Sequence, residues 1–268
     1  VDLTGFDEVV VVGGGKAGAA MAAGVEDALG ERVDGGVVVI KHGHLGPTLR
    51  VELIEAGHPL PDAAGVVATE RLLRVVAQAG PRSLILCVIS GGASSLLVSP
   101  PQGVSLDDLR ALTDGLLGAG ADIRAINTVR KHVSRVKGGQ LARLATPATL
   151  VTLVLSDVIG DPLSDIASGP TVEDATTFDD AREVLRRFHL WGDGDERDRA
   201  AEARLPEAVK RHLLAGIAGE FPETPTTDDP GMGGAVCVVV ANNRAAIEGC
   251  RGAAETLGWG TLILASTI

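Results

Sequence analysis

Val9-Val10-Val11-Val12-Gly13-Gly14-Gly15-Lys16-Ala17-Gly18 is the stretch that decides the fold. A short run of β-branched residues ends in glycines and passes into the Ala-rich segment Ala17 to Leu29, whose composition favours a helix. The unit is strand, tight loop, helix. It recurs along the chain. Val37 to Ile40 and Val51 to Ala56 read as strands, Ala64 to Ala79 as a helix, and Leu84 to Ile89 as a buried strand ending in Ser90-Gly91-Gly92. Thr149 to Leu155 is a further apolar strand. Such alternation predicts an α/β fold, a parallel sheet wound with helices on both faces. Between these units, Leu106 to Leu117 reads as a helix capped by Ser105, Asn127 to Leu144 as a helix broken or weakened at Gly138-Gly139, and Ala181 to Phe188 as the start of a surface helix.

The rest of the chain sets the domain expectations. Gly192 to Arg204 is a charge run read as a solvated helix or loop, and Phe221 to Gly234, punctuated by Pro222, Pro225 and Pro230, reads as a linker or long loop. Beyond it, Ala235 to Ala241, Asn242 to Leu257 and Thr261 to Ala265 predict strand, helix and strand. The expectation is therefore a first domain over 1–233 and the βαβ start of a second, smaller α/β domain over 234–268. The chain opens on Val1 and stops in an apolar run, which reads as a fragment of something longer.

Composition narrows the function classes. Aromatic residues make up 2% of the 268, with no Tyr, so the core is aliphatic, as parallel sheets covered by helices require. A net charge of -11 argues against a nucleic-acid surface while leaving room for a small anion in a locally basic pocket. Cys87, Cys237 and Cys250 match neither zinc nor disulfide spacing, and no apolar run reaches a membrane span of about 20 residues. A cytoplasmic protein, with no membrane partner, is expected. A homodimer stays open.

In open parallel sheets, ligands bind at the carboxyl ends of the strands. Four loops there carry candidate chemistry. Gly13 to Gly18 fits G-x-G-x-x-G, with Gly14 and Gly15 offering backbone donors and Lys16 a charge for a phosphate or carboxylate. A dinucleotide would also want an acid at the end of the second strand, where Lys41-His42 stands instead. Ser90, Gly91, Gly92, Ser94 and Ser95 form a second anion cradle, with Leu96 excluding a G-x-S-x-G nucleophile elbow. Asn127, Arg130 or Lys131, Ser134 and Lys137 lie at helical spacing and predict one polar, basic helix face. Asp157, Asp161 and Asp165 follow the 149–155 strand four apart, suited to Mg²⁺ and phosphate oxygens or to accepting a substrate proton. Plain alternatives are turn glycines, solvated charges and capping aspartates. His58 stands in a proline-stiffened turn that can aim it at the site but reads rather as a surface turn, and His42 with His44 as a bare H-x-H.

Taken together, Gly13 to Ala17, His58 to Asp62, Ser90 to Ser95, Asn127 to Ser134, Lys137 to Gly139 and Leu155 to Thr171 closely resemble the glycerate kinase family that makes 2-phosphoglycerate. Some of its members are labelled hydroxypyruvate reductases. The resemblance runs from about Val9 to the chain end. It implies a Rossmann-like first domain, a smaller second domain and a cleft where ATP, Mg²⁺ and D-glycerate meet, with Lys16 catalytic. Phosphoryl transfer asks mainly for placed charge, so Asp157 and Asp161 are expected to hold Mg²⁺ or orient the 2-hydroxyl, and the Ser90 to Ser95 loop to donate N–H and O–H groups. The family also carries a carboxyl-terminal domain with a catalytic arginine, which this sequence lacks, so little or no kinase activity is expected of these 268 residues alone. The competing readings are an NADP-linked hydroxypyruvate reductase and a non-catalytic anion-binding module.

Overall fold

In the computed structural model, which describes residues 3–192 and 205–265, six parallel strands form one sheet in the order β3-β2-β1-β4-β5-β6. They are β1 (Glu8–Gly14), β2 (Gly35–Lys41), β3 (Glu52–Ala56), β4 (Ser83–Ser90), β5 (Thr149–Leu155) and β6 (Ala235–Ala241). The helices are α1 (Gly18–Leu29), α2 (Ala63–Gln78), α3 (Ala93–Leu96), α4 (Leu106–Gly118), α5 (Ile123–His132), α6 (Gln140–Ala145), α7 (Phe178–Arg187), α8 (Glu207–Ile217) and α9 (Asn243–Thr256). Alternation along β1 explains the layering: Val9 and Val11 join the core beneath α1, while Val10 and Val12 join the core beneath α2, α3 and α6. Each buried valine contributes roughly 1.5–3 kcal/mol of apolar transfer.

A third core holds a helical lobe. Leu112 and Leu116 of α4, Val129 of α5, Phe178 and Leu185 of α7, and Val209 and Leu213 of α8 pack together with Trp191. The helix expected on the surface at 181–188 packs its inner face on this core while Asp179, Asp180, Glu183 and Arg187 stay exposed. It starts at Phe178 because Thr177 and Asp180 form a reciprocal cap, and its buried face is Phe178, Ala181 and Leu185. The cap expected at Ser105 is present, reciprocated by Asp108.

Two expectations are corrected. The helix read over 127–144 begins at Ile123, capped by Asp122, and stops at His132. Val133 leaves helical geometry, and the left-handed Gly138 and Gly139 separate α5 from α6. The strand read at 261–265 forms no ladder, because β6 pairs with β5 on its inner side and nothing among the described residues extends the sheet beyond it. β6, read from the sequence as the first strand of a βαβ unit, is hydrogen-bonded in parallel to β5, with Leu150 opposite Ala235. The charge run, apart from Gly192, lies outside the described residues. The 221–234 segment is a loop packed on the protein, with Thr224 buried, and no described helix is long and apolar enough to cross a membrane.

Candidate active site

Connections run outward from β1 to β3 and then return to β4 beside β1, so the strand order reverses between β1 and β4. At such a reversal the loops leaving the two strands diverge and open a crevice. Lys16 follows β1, Gly91 and Gly92 follow β4, and Asp157 follows β5.

The glycine stretch is not the backbone cradle its spacing suggests. Gly13 and Gly14 belong to β1 itself. The amide of Gly15 donates to Val39 O at 3.0 Å, that of Lys16 to Gly91 O at 2.8 Å and that of Gly18 to Gly15 O at 3.1 Å. The Ala17 amide donates to the buried Ser90 hydroxyl at 3.0 Å. Those donors are therefore spent inside the protein. A side chain at Gly15 would overlap the Ser90 hydroxyl, and a Cβ at Gly14 would stand 2.9 Å from Val39 O. Gly14, Gly15 and Ser90 thus bring two loops together and leave the Lys16 side chain as the group presented to a ligand.

Around Lys16 the loops converge. Its Nζ lies 3.5 Å from Asp157 Oδ2, with both side chains about half exposed. Gly91 lies against this pair, and a Cβ there would displace the Asp157 carboxylate. A Cβ on Gly92 would meet the His58 ring at 2.9 Å and Lys16 Cγ at 3.2 Å, so His58 belongs to the same cluster. Partial burial, then the positive charges of Lys16 and Lys41, push the His58 imidazole below its usual range, which keeps it neutral and able to accept a proton. His44 bonds the Lys16 carbonyl through Nδ1 at 3.2 Å, and His42 contacts Asp62 at 3.1 Å.

Asp161 lies apart in its bonding. Its Oδ2 accepts from the Asn242 amide at 2.7 Å, and hydrogen bonds from Ser156 and Asn242 hold its carboxyl below the usual range. Asn127 is buried in a relay: its Oδ1 accepts from the Ser168 hydroxyl at 3.0 Å, Ser168 meets Ser94 at 3.4 Å, and its Nδ2 reaches Asp165 Oδ1 at 3.3 Å. Ser95 donates to Gly92 O. Lys131 is buried and paired with Asp174 at 3.1 Å.

The single basic face expected along 127–137 does not form, because α5 ends first. Arg130 and Lys137 nonetheless line one cavity of about 410 Å³ together with His58, Gly92, Ser94, Ser95 and residues of α4. Lys131 lines a different one. Lys137 is buried, its Nζ donating to Ser94 O at 2.7 Å and Leu97 O at 2.8 Å. Burial, and then Arg130, lower its ammonium pKa from 10.5 to about 7.

Sequence reasoning undervalued His58 and passed over Ser168 and Asn242. His58 follows β3 at the same sheet edge as the other loops, which was a usable signal. Ser168 had none, since its role follows from the left-handed turn Ala167-Ser168-Gly169 at φ 55°, 61° and 59°.

A family profile described as a domain of unknown function, DUF4147, matches residues 1–203. The chain is 39% identical over 261 residues to a protein of Pyrococcus horikoshii named glycerate 2-kinase, covering 97% of this chain and 56% of that one. It is 44% identical over 209 residues to a D-glycerate 2-kinase of Thermotoga maritima, covering 78% and 49%. The solved structure of a glycerate kinase from Thermotoga maritima superposes with a TM-score of 0.81 at 38% identity, covering 97% of this chain and 57% of that one. The chain thus spans about half the length of the curated relatives it matches. With three quarters of its residues inside the profile and its parallel α/β sheet shared with a solved glycerate kinase, the chain belongs to the DUF4147 family.

Proposed function

We propose that this chain carries the phosphate-handling part of a glycerate 2-kinase, which transfers a phosphoryl group from ATP to D-glycerate to give 2-phosphoglycerate. One observation carries the reading. A half-exposed lysine is held 3.5 Å from an aspartate where the strand order reverses, in a chain similar over 97% of its length to a protein named glycerate 2-kinase. Phosphoryl transfer asks a protein mainly for placed charge, and Lys16 is a placed charge. His58 is suited to take the proton of the acceptor hydroxyl, and Asp157 to orient Lys16 or that hydroxyl.

Mg²⁺ fits as a partial match. Among the described residues no group of three or more His, Cys, Asp or Glu is arranged to hold a metal, so Asp157 and Asp161 would supply at most two carboxylates, with water and phosphate oxygens completing the shell. Asp157, half exposed over Gly91, is the better placed. Bound there, the ion would neutralise charge on the transferring phosphates. A dinucleotide is disfavoured because the amides that would hold its pyrophosphate already have acceptors. The free cysteines agree with a reducing, cytoplasmic setting.

The test is a coupled ADP-release assay with D-glycerate, run on the 268 residues and on the product of the entire encoding reading frame. Turnover is expected from the latter and little or none from the former. Absence of 2-phosphoglycerate from both overturns the kinase reading, whereas full turnover by the 268 residues overturns the need for a further arginine.

A further inference from the structure

The cavity beside His58 holds two cations that the reading above leaves unexplained. Arg130, in the last turn of α5, is half-buried, and its guanidinium has neither an ion pair nor a hydrogen bond among the described residues. Lys137 spends two of its three N–H donors on the carbonyls of Ser94 and Leu97 and has no carboxylate partner. The two are close enough that Arg130 disfavours the charge on Lys137. Two like charges sharing a half-enclosed space without a counter-ion destabilise the folded chain. Elsewhere this protein pairs its buried cation: Lys131 has Asp174.

The remaining charged groups of the lining do not resolve the imbalance. Arg110 is held by Asp107 at 2.9 Å and by the Pro61 carbonyl. His58 is kept neutral by its surroundings. Asp114 of α4 lines the cavity and pairs with neither Arg130 nor Lys137.

We propose that Arg130 and Lys137 form an anion subsite in this cavity that takes the carboxylate of a small 2-hydroxy acid, so that the acid's hydroxyl faces His58 and Lys16. The assignment rests on the kinase reading for the identity of the acid and deepens it. A planar guanidinium grips a carboxylate through two parallel N–H donors, and the third Lys137 donor completes the clamp. Apolar neighbours Val98, Leu112 and Val133 exclude water and strengthen the contact. Gly92 separates the clamp from Lys16, so an acid held here by its carboxylate places its hydroxyl end nearest the Lys16–Asp157 pair. Asn127 and Lys131, from the same helix, take no part, since both are consumed by internal bonds.

The test is calorimetric titration of the 268-residue chain and its Arg130→Gln variant with D-glycerate, its neutral amide glyceramide, D-lactate and inorganic phosphate, alongside thermal unfolding. The expected result is binding of D-glycerate, none of glyceramide, and at least a tenfold loss of D-glycerate affinity in R130Q. The ligand-free variant should unfold at the same or a higher temperature, because an unpaired charge has been removed; a lower midpoint would mean that Arg130 has a structural partner and would overturn the proposal. Undiminished D-glycerate binding by R130Q overturns the subsite and leaves the kinase reading standing. Arg130-dependent binding of D-lactate without D-glycerate keeps the subsite and removes the kinase reading. Phosphate outcompeting every carboxylate at Arg130, or no anion binding at all, overturns the carboxylate assignment.

Discussion

Arg130 and Lys131 are consecutive residues of one helix, yet they line different cavities with opposite electrostatic character. In the cavity of about 570 Å³, Lys131 meets Asp174, Arg135 meets Glu70 and Arg143 meets Asp229. Asp174 also accepts from Thr176 and Thr224, so its charge is fully dressed. In the cavity of about 410 Å³, Arg130 and Lys137 have no carboxylate partner among the described residues. The first is a stabilising network within the fold. The second keeps uncompensated charge beside the loops where ligands bind in sheets of this kind. A basic residue count would have scored both alike; what separates them is whether the fold delivers an acid.

The strongest way to break this comparison is Lys131→Met. It leaves the Asp174 carboxylate buried without its cation and is expected to lower the unfolding free energy by about 3–5 kcal/mol in urea titrations. If it cost no more than R130Q, the distinction between the cavities would collapse. Next, Lys16→Ala in the product of the entire reading frame should lower kcat by about 10²–10³, the scale of removing one transition-state charge stabiliser. Its stability should move by no more than about 1 kcal/mol, because the Lys16–Asp157 pair is solvent-accessible. A matching loss of stability would make Lys16 structural.

Glu26 offers an internal control for a buried charge that is satisfied. Its carboxylate accepts from the amides of Leu49, Arg50 and Val51 at 2.7, 2.8 and 2.7 Å. Burial alone would raise its pKa, but these three donors together hold it below the usual range. The stability it contributes is therefore present above the unfolded pKa of 4.5 and lost as pH falls through the lower folded value. Glu26→Gln is expected to cost about 1–3 kcal/mol at neutral pH and to flatten the acid limb of a stability profile.

The smallest effect is a pH dependence. With its folded pKa near 7 against 10.5 unfolded, Lys137 is protonated in the unfolded chain and largely neutral in the folded one across that window. Its contribution to stability therefore rises with pH between about 7 and 10.5. Anion affinity should run the other way, weakening severalfold as pH passes above 7 and the Lys137 charge is lost. Arg130 stays charged, and His58, held below its usual range, is already neutral above 7. Calorimetric titration with D-glycerate between pH 6 and 9 measures it, roughly, as a slope in apparent affinity. A flat profile would mean that Lys137 does not face the ligand.

Much of the molecule was legible in the sequence. The β-branched runs at 9–12, 84–89 and 149–155 become adjacent parallel strands because residues apolar on both faces must be covered on both faces. The convergence of Lys16, Gly91, Gly92 and Asp157 follows from each standing just past such a strand, since parallel strands bring their ends to one edge. What tertiary structure alone decided is which polar groups remain available. Gly13 to Gly18 looked like a row of donors, and the fold spent those of residues 15–18 on Val39, Gly91, Ser90 and Gly15. Asn127 and Lys131 looked like ligands and became internal struts, while Arg130 and Lys137 were left without acids. Local periodicity determines which way a backbone runs, because it depends on near neighbours. Whether a charge is compensated depends on partners tens of residues away, such as Asp174 for Lys131 or Asp157 for Lys16, and only the packed chain brings them within reach.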